Sequence, residues 1–312
     1  MHLERHPLRP DKPAVYLDAY HLHDSEQYFI GRPRPAVIVC PGGGYQFTSD
    51  REAEPIALRF LAHGYHAFVL RYSVNTRFPA PMLDLARAIR LVRSNAAEWL
   101  VDPRRLVVCG FSAGGHLAAA LGVFWDRPDI RDAVGATNDE LRPDAVILGY
   151  PVIDLRHGPP SPPGEEPHYA AMHAAIFGVR EAPDDLVNQY RPDLHVSPQS
   201  SPAFIWHTAT DPIVPARNAL LFASALAAHN VPYELHIWDS GPHGLALANP
   251  VTAVDASLNA PHAQIWVDLA LSWLDRQAAP PKPTLEELLA AVTDENRHPE
   301  TDFGSSVGKE EW

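Results

Sequence analysis

Residues 107–116 read Val-Val-Cys-Gly-Phe-Ser-Ala-Gly-Gly-His, and the expected architecture can be worked out from this stretch. A β-branched run leads into the pattern Gly-x-Ser-x-Gly, and an alanine-rich run from Leu117 to Leu121 follows. This order predicts a strand, a sharp turn and a helix. Small residues around Ser112 permit a crowded backbone at the turn, and a helix N-terminus favours developing negative charge. Because so short a pattern also occurs by chance, its interpretation depends on the flanking strand and helix.

Apolar runs typical of strands alternate along the chain with amphipathic runs typical of helices. Strands are predicted at 14–21, 36–40, 66–72, 106–109, 145–150, 203–207 and 233–238, and helices at 49–63, 81–100, 215–229 and 263–274. The helix at 49–63 is expected to begin with a capping box of Ser49 and Glu52. The alternation predicts an α/β fold whose mostly parallel central sheet is covered by helices on both faces. In such a sheet, reactive groups collect on the loops at the carboxyl ends of the strands.

The domain organisation follows from shifts in composition. Residues 1–12 are polar and interrupted by proline, which predicts a surface arm. Residues 13–276 form the predicted α/β domain, with a cap-like insertion around 156–195 that begins in a proline- and glycine-rich loop. Residues 277–312 are predicted to be a stiff proline linker, a short helix and a polar tail. Either terminal segment could reach a second copy, which leaves a homo-oligomer open.

The composition restricts the possible partners of the chain. Its 312 residues carry a formal charge of −13, which argues against nucleic acid and an anionic membrane surface as partners. The two cysteines, Cys40 and Cys109, are expected to be free buried thiols. We see neither an apolar run of membrane-spanning length nor an export signal, so a cytoplasmic location is expected.

A serine hydroxyl is a poor nucleophile and needs a base. Three of the 17 histidines compete for that role. His243 lies in the loop directly after the last predicted strand and is favoured by this position. His116 stands too close to Ser112 on the same helix to face it well, and a strand-end residue such as His207 is more often a packed one.

The imidazole in turn needs a carboxylate that holds its tautomer and stabilises its charge. Asp211 follows the strand that precedes the His243 strand, and it is the favoured acid. Asp154, after an earlier strand, ranks second. Asp239 lies only four residues before the histidine. The resulting order along the chain, Ser, Asp, His, is the order of the hydrolases with this serine turn.

An oxyanion formed at an acyl carbon must receive hydrogen bonds. The N–H of Ala113 is one natural donor, and the glycine loop 42–44 is the other source, because glycines let backbone N–H groups approach a substrate closely. No cofactor is indicated, and no metal site is expected, because the pair His21-x-His23 has no nearby partner in the sequence. Five side chains are candidates to line a substrate pocket: Tyr45, Gln46, Trp125, Tyr150 and Trp206.

Four motifs together resemble the α/β-hydrolase superfamily: 41–45 (Pro-Gly-Gly-Gly-Tyr), 110–114 (Gly-Phe-Ser-Ala-Gly), 210–215 (Thr-Asp-Pro-Ile-Val-Pro) and 241–244 (Gly-Pro-His-Gly). Within it, the chain resembles bacterial esterases near the hormone-sensitive-lipase and acetyl-xylan/feruloyl-esterase-like groups, over roughly residues 35–275. Pro41 stands where the first group usually has histidine.

The resemblance implies a role for each matching residue. It implies Ser112 as the nucleophile, His243 as the base and Asp211 as the orienting acid. It also implies an oxyanion hole formed by Ala113 with Gly43 and Gly44.

The leading hypothesis is a serine carboxylesterase for small esters with acetyl or other short acyl groups. Because no export signal is seen, imported acetylated oligosaccharides or small metabolite esters fit better than polymeric xylan. Two other hypotheses are kept: a peptidase of the prolyl-oligopeptidase type, and a non-catalytic binding protein on a hydrolase fold.

Overall fold

The computed structural model describes residues 1–28, 31–156 and 164–278. Its centre is an eight-stranded sheet with the strand order β1-β2-β4-β3-β5-β6-β7-β8. The strands are β1 (His2–Pro7), β2 (Tyr16–His21), β3 (Arg34–Cys40), β4 (His66–Arg71), β5 (Val101–Phe111), β6 (Ala145–Gly149), β7 (Ala203–Thr208) and β8 (Tyr233–Trp238). Strands β3 to β8 are mutually parallel, and β1 and β2 are antiparallel at one side of the sheet. This confirms the predicted α/β class.

Helices cover both faces of the sheet. They are α1 (Glu54–Leu61), α2 (Ala80–Ser94), α3 (Ala113–Phe124), α4 (Pro128–Val134), α5 (Asn138–Leu141), α6 (Ala170–Phe177), α7 (Asp184–Asn188), α8 (Arg217–Ala228) and α9 (Trp266–Ala278). No helix of the described residues has both the length and the apolar character that crossing a lipid bilayer requires.

The alternation of side chains along β5 shows how the two core layers form. Leu106 and Val108 join the core cluster that contains residues of α2, α3 and α8. Val107 and Cys109 join the opposite cluster, which contains residues of α1 and α9. Successive residues of a strand point to opposite faces, so a strand covered on both faces is apolar throughout.

The predicted helix at 49–63 begins differently from the expectation. A single 3-10 turn spans Asp50–Glu52, and α1 starts at Glu54. The Ser49 side chain makes no capping hydrogen bond, so the predicted capping box is wrong. The Glu52 side chain instead turns into the interior, where it accepts hydrogen bonds from the backbone N–H of Gly42 and the hydroxyl of Tyr150.

The chain divides into two compact units, 1–275 and 276–312. The predicted arm at 1–12 contains a regular strand, β1, which is hydrogen-bonded to β2. Helices α6 and α7 fall in the predicted insertion at 156–195, of which residues 157–163 lie outside the described residues. Of the second unit the structure describes only 276–278, the end of α9, so the predicted linker, short helix and tail lie outside it.

Candidate active site

The turn between β5 and α3 places Ser112 at the carboxyl edge of the sheet. Its backbone has φ 51° and ψ −117°, a conformation that L-residues rarely adopt. The turn is tight because a Cβ atom at Gly110 would overlap the carbonyl oxygen of Gly114, and one at Gly114 would overlap that of Cys40. Three backbone hydrogen bonds hold the strained residue. Its N–H donates to the carbonyl of Gly149 at 3.0 Å, and its carbonyl accepts from Val152 at 3.1 Å and from His116 at 3.0 Å.

Three side chains from different loops meet in line at this edge. His243 Nε2 lies 2.8 Å from Ser112 Oγ, and His243 Nδ1 lies 2.7 Å from Asp211 Oδ2. An ionised carboxylate only accepts, so Nδ1 carries the proton and Nε2 accepts from the serine hydroxyl. The structure therefore brings together the three residues predicted for the nucleophile, the base and the acid.

The carboxyl group of Asp211 is fixed at both oxygens. Its Oδ1 accepts from the backbone N–H groups of Ile213 and Val214, each at 2.9 Å. Burial raises the pKa of this carboxyl, but the hydrogen bond and charge of His243, with these two backbone donors, lower it further, so the net pKa lies below the usual value. The group is thus ionised at neutral pH and can stabilise a charged imidazole.

The predicted oxyanion donors surround the hydroxyl. Gly43, Gly44 and Ala113 all line the cavity that contains Ser112 and His243. Gly43 has φ 127° and Gly44 has φ 60°, so the loop takes a path that suits glycine. The N–H of Gly42 donates to Glu52 Oε2 at 2.8 Å, which leaves Gly43 and Gly44 as the glycines that face the cavity.

Glu52 connects the glycine loop to the histidine loop. Besides accepting from Gly42, it accepts from the Tyr150 hydroxyl at 2.6 Å, and that hydroxyl accepts from the N–H of Ala246 at 2.8 Å. Burial and the neighbouring Glu52 raise the pKa of Tyr150 well above its usual range, so the hydroxyl stays protonated and can donate. Sequence reasoning missed this network, since the only local signal, Ser-x-x-Glu, indicated a helix cap.

Arg51, the residue before Glu52, also contacts the histidine loop. The Arg51 guanidinium donates to the carbonyl oxygens of Gly244 and Thr252, 193 and 201 residues further along the chain. These hydrogen bonds hold the backbone next to His243. The sequence offered no signal for this contact.

The cavity beside Ser112 has a volume of about 400 Å³, within the range of small-molecule sites. Apolar and polar side chains share its wall: Gln46, Phe47, Ser49, Arg51, Glu52, Val152, His168, Ala171, Met172, Ile213 and Val214. Residues 168–172, from the predicted cap-like insertion, thus contribute to the wall. Gln46 lies where the pocket prediction put it.

The four aromatic residues predicted for the pocket lie elsewhere. Tyr45 is fully buried, and its hydroxyl donates to His116 Nδ1 at 2.7 Å. Tyr150 is also buried, with its ring packed against the His243 ring at 5.1 Å between centroids. Trp206 is a core residue, and Trp125 donates to the carbonyl of Gln199. Burial against the core therefore overturns the pocket prediction for these side chains.

The rival histidines and acids have other partners. His116 is fully buried, and its Nε2 donates to the Tyr190 carbonyl. His207 is a buried strand residue, outside the cavity lining. The Asp154 carboxylate pairs with Arg217 at 2.8 Å. Asp239 accepts only from the neighbouring Ser240 among the hydrogen bonds of the described side chains.

The remaining two site predictions have different outcomes. Cys40 and Cys109 are free and buried, as expected, and burial raises the pKa of both thiols. The pair His21-x-His23 has no partner nearby in the sequence, but the fold supplies neighbours to His21 from β1. The antiparallel pairing of β1 with β2 brings Glu4 and His6 next to it, which no local sequence signal shows.

The mostly parallel sheet, the strained serine turn and the aligned Ser-His-Asp side chains are the features of an α/β hydrolase. The BD-FAE family model matches residues 26–226, and the chain belongs to this family of α/β hydrolases. The resemblance of the four motifs to the α/β-hydrolase superfamily is thereby confirmed.

Relatives and solved structures agree with this membership. The chain is 34% identical over 226 residues to endo-1,4-beta-xylanase B of Butyrivibrio fibrisolvens, an alignment that covers 69% of this chain and 33% of that protein. The carboxylesterase Cest-2923 from Lactobacillus plantarum WCFS1 superposes with a TM-score of 0.76 at 34% identity, covering 89% of this chain and 98% of that one. An acetyl ester-xyloside bifunctional hydrolase from Caldicellulosiruptor lactoaceticus superposes with a TM-score of 0.70 at 36% identity, covering 88% and 96%.

The chain spans between a third and about half of the length of five curated relatives that it matches, from 33% to 55%. Its match to solved carboxylesterases extends over nearly their whole length. These similarities group the chain with carboxylic ester hydrolases of the α/β type.

Proposed function

We propose that the chain is a serine carboxylesterase that hydrolyses small, short-acyl esters through an acyl-enzyme on Ser112. The observation that carries this proposal is the unbroken hydrogen-bonded line from Ser112 Oγ through His243 to Asp211, on the wall of a cavity. Serine at a strained turn, a base in contact with it and an ionised acid behind the base are the parts that acyl transfer needs.

Each step can be assigned to a group of this site. His243 Nε2 takes the hydroxyl proton while Ser112 Oγ attacks the ester carbonyl carbon. The tetrahedral oxyanion accepts hydrogen bonds from the N–H of Ala113 and from Gly43 or Gly44, each such donor being worth about 3–4 kcal/mol. The imidazolium then protonates the leaving alcohol.

Water completes the cycle by the same route. His243 removes a proton from a water molecule, which attacks the acyl carbon of the ester on Ser112. Collapse of the second tetrahedral intermediate returns the proton to Ser112 Oγ and releases the carboxylic acid. Asp211 stays ionised and supports the charged imidazole in both halves.

The preference for a short acyl group and a polar alcohol is supported by the cavity wall. Val152, Met172 and Val214 offer a small apolar surface, while Gln46 and Arg51 add polar groups. One solved relative is named an acetyl ester-xyloside bifunctional hydrolase and one curated relative an acetylxylan esterase, which supports acetylated sugars as a substrate class. A cytoplasmic location stays a prediction.

The experiment compares purified wild type with Ser112→Ala on p-nitrophenyl acetate, butyrate and octanoate, on an acetylated xylo-oligosaccharide and on a peptide p-nitroanilide. We expect acetate to be cleaved fastest by kcat/KM and the serine variant to lose at least about 10⁴-fold. A fluorophosphonate probe should label only the wild type.

The other outcomes separate the alternatives. Anilide cleavage that exceeds ester cleavage would indicate a peptidase. A folded wild type that the probe does not label would indicate a binding protein. Ester hydrolysis that survives Ser112→Ala would refute the acyl-enzyme.

A further inference from the structure

Three potential metal ligands share one face of the outer two strands of the sheet. Glu4 and His6 are two residues apart on β1, so their side chains point to the same face. The register pairs Glu4 with Ala19 and His2 with His21, which puts the His21 side chain on that face as well. The ligand atoms of Glu4, His6 and His21 all lie within 4.8 Å of one another.

Two of these ligand atoms lack a hydrogen-bond partner. Nε2 of His6 and Nε2 of His21 are both buried, and neither makes a hydrogen bond among the described residues. Glu4 Oε2 lies 3.4 Å from the His6 nitrogen. Buried polar atoms are nearly always partnered in proteins, so two unpartnered nitrogens beside one carboxylate need an explanation.

The surrounding side chains already hold the ligands in place. The Trp99 ring packs against the His6 ring at 4.9 Å and the His21 ring at 5.1 Å between centroids. His2 Nε2 lies 2.6 Å from Glu4 Oε1, whereas the other carboxylate oxygen, Oε2, is the one that approaches His6. The hydrogen bond to one carboxylate oxygen of Glu4 orients the other oxygen before an ion binds.

We propose that Glu4, His6 and His21 form a binding site for a divalent transition-metal ion of the Zn²⁺ type. Two imidazole nitrogens and one carboxylate oxygen are a donor set that suits Zn²⁺ and is poor for Mg²⁺, which prefers oxygen ligands. A bound ion would use both unpartnered nitrogens and would connect β1 to β2 by side chains in addition to the backbone ladder.

The site is remote from the esterase chemistry. Because β2 runs antiparallel to β4, Tyr20 pairs with Ala67 near the start of β4, and Tyr16 pairs with Arg71 at its end. His21 therefore lies at the amino edge of the parallel strands, whereas Ser112 follows β5 at their carboxyl edge. Esterase activity can accordingly serve as a control for the folding of the site variants. If the chain proved not to be an esterase, the Zn²⁺ titration would still test the metal site.

The experiment titrates the full-length, chelator-treated protein with ZnCl₂ by isothermal titration calorimetry, with MgCl₂ as the second arm. We expect one tight Zn²⁺ equivalent for the wild type and none for Mg²⁺. His6→Gln and His21→Gln should each weaken that equivalent at least about ten-fold. His23→Gln, which changes an exposed histidine next to β2, is the matched control and should bind as the wild type does.

A second readout does not depend on calorimetry. Hydrogen exchange of the β1 amides should slow when Zn²⁺ is added to the wild type and should not respond in His21→Gln. The proposal is overturned if both site variants bind Zn²⁺ like the wild type, or if the wild type takes up no more Zn²⁺ than His21→Gln while all proteins keep their far-ultraviolet circular dichroism.

Discussion

The carboxylates beside Ser112 at the carboxyl edge of the sheet and the histidines of its β1–β2 corner differ in how they are hydrogen-bonded. At the carboxyl edge, Asp211 accepts three hydrogen bonds and Glu52 accepts two. At the β1–β2 corner, the Nε2 atoms of His6 and His21 have no hydrogen-bond partner among the described residues.

The difference shows what each arrangement is suited to do. A fully hydrogen-bonded network in a protein interior fixes the geometry of its members, which is what catalysis of acyl transfer requires. Unpartnered imidazole nitrogens beside a carboxylate remain available to a ligand from solution. The two regions lie at opposite edges of the parallel strands, and their functions should be separable by substitution.

The largest effect on kcat is expected from a substitution of the orienting acid, Asp211. Asp211→Asn should lower kcat by about 10⁴-fold, because an amide at this position no longer fixes the proton on His243 Nδ1. Steady-state kinetics on p-nitrophenyl acetate measures the loss, and the melting temperature reports on the fold.

The rival acid provides the matched control for this test. Asp154→Asn removes a carboxylate that pairs with Arg217, so we expect kcat within about three-fold of the wild type and a lower melting temperature. If Asp154→Asn impaired kcat more than Asp211→Asn, the assignment of the acid would be wrong.

A smaller effect is expected at the link between the two loops. Glu52 uses one carboxylate oxygen for the N–H of Gly42 and the other for the Tyr150 hydroxyl, and the amide of Glu52→Gln has only one oxygen. The variant therefore loses one of the two hydrogen bonds that connect the oxyanion loop to the histidine loop. We expect kcat to fall about 10- to 100-fold while KM changes less than about two-fold.

Two variants sharpen the interpretation of that result. Tyr150→Phe removes the hydrogen bond to Glu52 and the one from Ala246, leaves the bond from Gly42 to Glu52 in place, and should reproduce part of the loss in kcat. Glu54→Gln changes an exposed carboxylate that accepts from Tyr20 and should leave kcat unchanged. A Glu52→Gln enzyme with normal kcat and a reduced melting temperature would show that the network is only structural.

The smallest effect concerns stability rather than activity. Burial lowers the pKa of His116 and of His207 to about 4, below the roughly 6.5 of an exposed imidazole. Between these values the unfolded chain binds more protons than the folded one. The free energy of unfolding should therefore fall as the pH drops from about 6.5 to 4, by about 1–3 kcal/mol for each histidine.

Urea unfolding followed by tryptophan fluorescence at several pH values between 7.5 and 4.5 measures this slope. In His116→Gln the slope should be shallower, since one of the buried histidines whose pKa is lowered is gone. Equal stability at pH 7 and pH 4.5 in the wild type would contradict the buried neutral state of these histidines.

Much of the fold could be predicted because its signals are local. The apolar runs at 36–40 and 145–150 indicated strands, and the structure has β3 and β6 there. The serine turn was visible because its crowded backbone demands small residues at positions 110 and 114. Ser112, Asp211 and His243 could be picked out because each follows a strand, and parallel strands end at one edge.

Other features depend on which distant residues become neighbours, and no short pattern reports that. Tyr45 was among the side chains predicted for the pocket, yet it turns inward to His116. Glu52 looked like a helix cap, but donors from Gly42 and Tyr150 reach it in the folded chain. The residues at 1–12 looked like an arm, but pairing with β2 makes a strand of them.

The amino-acid sequence by itself determined the alternation of strands and helices, the serine turn and the order of the three reactive residues, because backbone sterics and side-chain periodicity act over a few residues. Only the tertiary structure decided which buried polar groups are hydrogen-bonded: the carboxylates of Asp211 and Glu52 are, whereas Nε2 of His6 and Nε2 of His21 find no hydrogen bond in the part of the chain that the structure describes. The physical reason is that hydrogen bonding between side chains depends on strand register and loop packing, which are set by the whole chain.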